Sequence, residues 1–247
     1  QYVERALITS RVRYTGFMSK VTKVETMPFL KDHPYSGYFG LTEVEAESIM
    51  KRFNKSDSMA DVRYYSGGYY HATTGQVFFN TYSIVACLKK RRIKKFWAPS
   101  AGIRHYKKML GVKEVCKKVE KLLVDFTGRK KGVKIKYMES FLAAELLRFK
   151  RIVKKKIKVK DYDVNRFLHY LTELGYFTTL GREGDFIKIR IPNVEAAGEL
   201  FLRCKRRLHK SKRKMLKKYF KDNLVPKKFY KRKKYDYVDS IVTDDLV

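Results

Sequence analysis

The stretch DYDVNRFLHYLTELGYFTTLGREGDFIKIRI, residues 161–191, decides the architecture. Asp161 or Asp163 can cap a helix carrying Val164, Phe167, Leu168, Leu171 and Leu174 at three- and four-residue spacing. Gly175 suits the left-handed position that follows a helix. Tyr176 to Leu180 then reads as a strand, Gly181-Arg182-Glu183-Gly184-Asp185 as a turn, and Phe186 to Ile191 as a second strand. In the second strand Ile187, Ile189 and Ile191 alternate with Lys188 and Arg190, so one face is expected to be buried and the other basic. Immediately upstream, Met138, Phe141, Leu142, Leu146, Phe149, Ile152 and Val153 mark another helix. Its acids come early and its bases late, as the macrodipole favours.

Helix, helix and two-stranded wing is the order of a winged helix-turn-helix, and residues 138–191 resemble that broad family at the level of pattern. The resemblance implies that the helix at 163–174 is a recognition helix and that Arg182 sits on the wing tip. That helix offers only Asn165, Arg166, His169 and Tyr170 as polar reading groups. Asp161 and Asp163 at its entrance repel the phosphates that such an end approaches. The plainer reading is a small α+β unit whose wing merely packs.

Downstream, Pro192-Asn193 starts a last helix. Val194, Ala197, Phe201, Cys204, Leu208, Ser211 and Met215 form a heptad seam, which predicts one helix reaching Phe220, roughly 40 Å long. From Arg203 to Lys221 there are 11 bases and no acid. Arg206/Lys210, Lys210/Lys214, Arg213/Lys217 and Lys214/Lys218 are like-charged i,i+4 pairs, each costing about 0.2–0.5 kcal/mol in an isolated helix. A solvated face mixes signs, so this run points to phosphate neutralisation. The tail continues with Lys228, Phe229, Tyr230, Lys231, Arg232, Lys233, Lys234 and Tyr235, cations interleaved with rings that can stack on unpaired bases. Asp236, Asp239, Asp244 and Asp245 close the chain as a solvated or protein-docking acidic end.

Upstream, Gly128-Arg129-Lys130-Lys131-Gly132 reads as a flexible basic loop. Before it, Val115, Cys116, Val119, Leu122, Leu123 and Phe126 mark an amphipathic helix, and Ala98-Pro99-Ser100 marks a boundary. The first third is mixed α and β. Leu7 to Val12 and Val21 to Val24 have strand composition, and Thr42 with Glu45 forms a capping box for a helix carrying Val44, Ile49, Met50 and Phe53. Val62 to Tyr65 and Tyr69 to Ala72 flank Ser66-Gly67-Gly68 as a hairpin, with Gln76 to Asn80 as a third strand. Tyr82 to Phe96 has helical spacing. Four segments follow: a mixed α+β region at 1–97, a helical connector at 98–132, the winged-helix-like unit with its long basic helix at 133–222, and a tail at 223–247. Residues 1–126 hold enough apolar faces to be expected to fold without the terminal helix.

Over its 247 residues the chain carries 57 Lys and Arg against 25 Asp and Glu, a formal net charge of +32. Residues 1–82 hold 10 basic and 8 acidic side chains, whereas 83–247 hold 47 and 17. A polyanion is therefore met by the last two-thirds. Cys87, Cys116 and Cys204 form neither a CxxC nor an even-numbered framework, which speaks against a disulfide-stapled fold. The apolar run Val77 to Leu88 is too short to cross a bilayer. His33, His71, His105, His169 and His209 are scattered, with no HExxH and no phosphate-binding glycine loop. No enzyme, metal or cofactor is expected.

The expectation is an α+β, structural RNA-binding protein of a large ribonucleoprotein, a ribosomal subunit, with structured rRNA and neighbouring proteins as partners. The expected setting is intracellular, the mitochondrial ribosome ahead of cytoplasm or nucleus. The expected contacts are Arg129, Lys130, Lys131, Arg182, Lys188, Arg190, Arg206, Lys210, Arg213, Lys214, Lys217, Lys218, Lys228, Tyr230, Lys231, Arg232, Lys233 and Lys234. The rival is a winged-helix DNA-binding protein of replication or transcription. A third reading is a scaffold on acidic protein or anionic lipid.

Overall fold

Thr42 opens a helix through the reciprocal hydrogen bonds that its spacing from Glu45 predicts. The Glu45 amide donates to Thr42 Oγ1 at 3.3 Å, and the Thr42 amide donates to the Glu45 carboxylate at 2.7 Å. The backbone donor at Thr42 holds the Glu45 carboxyl below its ordinary pKa. This is helix α1 (Glu43–Arg52), preceded by the short strand β1 (Leu41–Thr42). Ala46 and Met50 face the core; Val44, expected on that side, is exposed.

A computed structural model describes residues 35, 38–55, 58–71, 74–97, 102–128, 131–138, 143–224 and 227–228. The strands expected at 7–12 and 21–24, the boundary at 98–100, Arg129, Lys130, Tyr230, Lys231, Arg232, Lys233, Lys234 and the acidic end lie outside the described residues. The chain is an α+β protein.

Val62 to Tyr65 is helical rather than a strand. It belongs to α2 (Met59–Ser66), whose buried Met59, Val62, Tyr65 and Ser66 recur at helical spacing. The sheet begins after the Gly67-Gly68 break: β2 (Tyr69–Tyr70) and β1 both pair antiparallel with β3 (Val77–Phe79). Helix α3 (Thr81–Lys90) is capped by Asn80, which accepts from the Ser83 amide at 2.9 Å. It stops short of Phe96, because Arg91 takes a left-handed φ of 49° and leads into β4 (Arg92–Ile93).

A 3₁₀ turn at Ile103–Tyr106 and α4 (Lys107–Leu110) precede α5 (Lys113–Thr127), whose buried stripe is the predicted Val115, Cys116, Val119, Leu122, Leu123 and Phe126. Strand β5 (Val133–Lys136) follows, then α6 (Ala143–Lys154), α7 (Asp161–Glu173), β6 (Thr178–Glu183) and β7 (Phe186–Arg190). β7 lies between β5 and β6, antiparallel to both. From α5 to β7 the order is helix, strand, helix, helix and hairpin, with the first strand beside the last.

The long C-terminal helix is two helices. α8 (Val194–Cys204) is buried on most sides, and α9 (Lys210–Asn223) follows a turn over 205–209. The turn shifts the buried seam by one residue. Leu216 faces inward where a continuous helix would have presented Met215, Phe220 follows it one turn later, and Met215 is exposed. Burying Leu216 and Phe220 rather than continuing through Ser211 and Met215 removes more apolar surface from water. β8 (Lys227–Lys228) then pairs antiparallel with β4, returning the chain to its first third.

One hydrophobic cluster runs from Ala46 to Phe220 and includes residues of every helix from α1 to α9. Residues 1–126 thus share their core with α8 and α9. The Asn193 side-chain amide donates to the Gly67 carbonyl at 3.0 Å, joining α8 to the α2 end.

Candidate nucleic-acid interface

Leu216 and Phe220 turn one side of α9 inward, and the helical period then dictates what faces out. Lys210, Lys214, Lys217, Lys218 and Lys221 form the outer row, and all five are exposed. Lys212 and Arg213 stand beside it, also exposed. The preceding turn adds exposed Lys205, Arg206 and Arg207. None of these ten cations between Lys205 and Lys221 forms an ion pair among the described residues. The only acid within α9 is Asp222, at its end.

A second row lies on α5. In α5, Lys113, Lys117 and Lys121 recur every four residues on the exposed face, with Glu114 beside them. Two contacts mark the flanks of this row. On one side Glu120 accepts from the His209 amide at 2.7 Å, bringing in the start of α9. On the other, Lys118 donates to Asp161 at 3.0 Å and to Asn165 at 2.9 Å, bringing in the start of α7. The Phe126 and Tyr219 rings meet edge to face at 6.2 Å, so the last turns of α5 pack against α9. The Arg207 guanidinium lies next to Gly111, where α4 ends with the exposed Lys107 and Lys108.

A third cluster occupies the connection from α6 to α7. Arg151, Lys154, Lys155, Lys156, Lys158 and Lys160 are all exposed, and Lys156 takes a left-handed φ of 56°. Neither this cluster nor the α5 row was among the expected contacts. The run RIVKKKIKVK at 151–160 was the available signal, and it is as dense in lysine as the tail.

The wing is less open than its sequence suggests. The Arg182 guanidinium lies over the Tyr137 ring at 4.0 Å, and its Nε donates to the Gly184 carbonyl at 2.9 Å. Arg190 is half-buried over Tyr70 at 4.2 Å, tying the wing to β2. Lys188 lies opposite Lys134 in the sheet, and Lys134 pairs with Glu183. Lys131 is exposed, while its backbone amide and that of Gly132 donate to the Asp125 carboxylate at 2.8 Å. The Gly128–Gly132 loop is thus anchored at its far end.

The supposed reading helix is enclosed. Asn165, His169 and Tyr170 are buried. Asn165 donates to Asp161 at 2.7 Å, and the Tyr170 hydroxyl meets that of Tyr106 at 2.5 Å. Arg166 is bonded to Glu145. Only Asp161 and Tyr162 of α7 are exposed, so the helix presents an acidic tip rather than a reading face.

The three cysteines are buried. Burial pushes the Cys87 thiol up to about 12. Cys116 and Cys204 share a hydrogen bond that holds Cys116 below, and Cys204 above, the ordinary thiol value. Among the described residues no three His, Cys, Asp or Glu are grouped to hold a metal ion, and no helix is long and apolar enough to cross a membrane. The chain matches no protein-family model, no curated protein and no solved structure at a significant level.

Proposed function

We propose that this chain is a structural RNA-binding protein of a large ribonucleoprotein, with the ribosome as the particle class. The observation that carries the reading is the run of ten exposed cations from Lys205 to Lys221, none of them in an ion pair among the described residues. Crowding like charges destabilises the free protein, and phosphate neutralisation relieves that repulsion. The α5 row and the cluster at 151–160 support a broad backbone contact rather than one narrow reading element.

A DNA-binding winged helix is the second reading, favoured by the connectivity from α5 to β7. The enclosed face of α7 weighs against it, because major-groove reading needs exposed side chains near the helix start.

Competition binding separates the two, with structured RNA set against duplex DNA for the full chain. If about eight cations meet phosphates, log affinity for RNA falls against log salt with a slope near −6 to −7. A slope shallower than about −2, or displacement by duplex DNA alone, overturns the RNA reading. Co-sedimentation with ribosomal particles from mitochondrial and cytosolic fractions tests the particle and its compartment together.

A further inference from the structure

We infer that the outer face of the β5–β7–β6 sheet, centred on Phe186, takes an unpaired RNA base on its ring and the flanking phosphates on Lys136 and Lys188. The inference rests on the RNA reading above and assigns one surface to a base rather than to backbone alone.

Pairing sorts the side chains of this sheet. Strand residues alternate between faces, and residues directly opposite across a ladder share a face. In β7, Ile187 and Ile189 are buried, and so are their β5 partners Ile135 and Val133. Phe186 and Lys188 therefore lie on the other face, with Lys136 opposite Phe186 and Lys134 opposite Lys188. On the β6 side, Glu183 is opposite Phe186. The ion pair between Lys134 and Glu183 reaches from β5 to β6 across β7, which side chains of one face can do. Arg182 is opposite Ile187 instead, which turns it away from this face and over Tyr137.

Phe186 is the apolar residue of the outer face. Its ring is 47% exposed, although Ile187 and Ile189 already supply the buried side of the strand. A ring held in water on a three-stranded support is preorganised for stacking, and base–aromatic stacking with neighbouring cations is how unpaired bases are held. Lys136 is exposed and Lys188 half-buried. Residues opposite in a ladder stand about 4.5–5.5 Å apart, and alternate residues along a strand about 6.6–6.8 Å. Two ammonium groups thus bracket the ring from two sides, where the phosphates of a stacked nucleotide lie. Lys134 answers Glu183, so Lys136 and Lys188 leave the face positive. A polyanion with flat bases matches that surface, whereas an apolar protein knob would strip water from both cations. Arg190 lies over Tyr70 at the inner end, so the open part is the Phe186 end.

Fluorescence anisotropy on the full chain compares oligouridine of about ten residues with an abasic ribose-phosphate chain of the same length, at about 0.15 M salt. F186A should lower oligouridine affinity roughly 5- to 150-fold, the loss of one stack, and leave the salt slope unchanged. F186L should lose as much affinity yet melt with the parent, because it keeps an apolar side chain on the strand. F186W should bind like the parent. On the abasic chain F186A should match the parent, having no base to lose. K136Q/K188Q should make the oligouridine slope shallower by about 1.4, at about 0.7 per phosphate. F186A and F186L that bind oligouridine like the parent overturn the inference and leave RNA binding intact. If those variants then fail to co-sediment with a particle that holds the parent, the ring belongs to a protein neighbour. Equal loss on the abasic chain also overturns it, because the substitution then acts through the fold. An unchanged slope in K136Q/K188Q overturns the assignment of the two lysines. A parent chain that binds structured RNA but not oligouridine overturns this inference alone, and one that binds neither overturns the RNA reading itself.

Discussion

The Tyr64 and Tyr219 hydroxyls meet at 2.7 Å across 155 residues of sequence, and next to them Tyr65 donates to the Asn223 carbonyl at 3.3 Å. Helix α2 is therefore closed by the far end of the chain. Tyr219→Phe keeps the ring contacts and loses the hydroxyl pair, so it should destabilise by about 0.5–1.5 kcal/mol. Tyr219→Ala also removes the contact with Phe126 and should cost roughly 3 kcal/mol. Truncation after His209 removes Leu216 and Phe220 from the shared core, and should abolish the cooperative unfolding transition seen by circular dichroism.

Replacing Lys210, Lys214, Lys217, Lys218 and Lys221 with Gln relieves the repulsion along the outer row of α9. Gln is an adequate helix former, so the free protein should melt at the same or a slightly higher temperature. RNA affinity should fall by orders of magnitude in the same variant. Stability that drops with the charges would mean that those lysines hold the fold rather than a ligand.

Gly68 has φ +82°, and a Cβ there would stand 2.2 Å from the Pro192 carbonyl oxygen. Gly68→Ala should cost at least about 2 kcal/mol, combining the left-handed penalty with a backbone overlap. Gly184 has φ +56° with open space around it, so Gly184→Ala should cost only about 1 kcal/mol. Urea titration of the two variants gives the comparison.

Hydrogen bonding from Lys118 holds the Asp161 carboxyl below its ordinary value, with Asn165 adding to the effect. A pKa lowered on folding contributes stability above the unfolded value, near 3.9, that is lost as pH falls through the folded one. Asp161 is mostly exposed and Lys118 half-buried, so solvent screening limits the contribution to about 0.2–1 kcal/mol. Lys118→Met should raise the Asp161 pKa in a carbon-detected NMR titration. It should also reduce the loss of stability between pH 5 and pH 3.

Among the thiols, Cys116 should react first with a small alkylating reagent at neutral pH. Its hydrogen bond with Cys204 favours its thiolate, whereas burial disfavours that of Cys87. Mass spectrometry after brief labelling reads the order, and Cys204→Ala, which removes the donor, should slow the labelling of Cys116.

Periodicity exposed the parts of this fold that depend on near neighbours. The α5 stripe, the Thr42–Glu45 capping box and the β6–β7 hairpin follow from local spacing, and all are present. What the pattern missed depends on distant partners. Val133 to Lys136 alternates over only four residues, and it becomes a strand because β7 has a free edge beside it. The break after Cys204 is invisible in the heptad count, because Ser211 and Met215 extend the seam on paper while Leu216 and Phe220 fill the core better. The resemblance to a reading helix failed for a similar reason. Asn165, His169 and Tyr170 look like exposed polar groups until Lys118 and Tyr106 close over that helix. For the candidate interface, the cations of α9 were legible as a charge run. The α5 row was not, because its lysines are spaced four apart and separated by the buried stripe.

The strand pair Arg92↔Lys228, together with the tyrosine contact above, sets an order of events during translation. Residues near Tyr64 leave the ribosome long before Tyr219 is made. At about 5–20 residues per second the 155 intervening residues take roughly 8–30 s. Throughout that interval the nascent α2 face has no complete α9 to close it. The α2 face is therefore completed by the last described helix to be made, so its closure is a late event on the path to the folded chain.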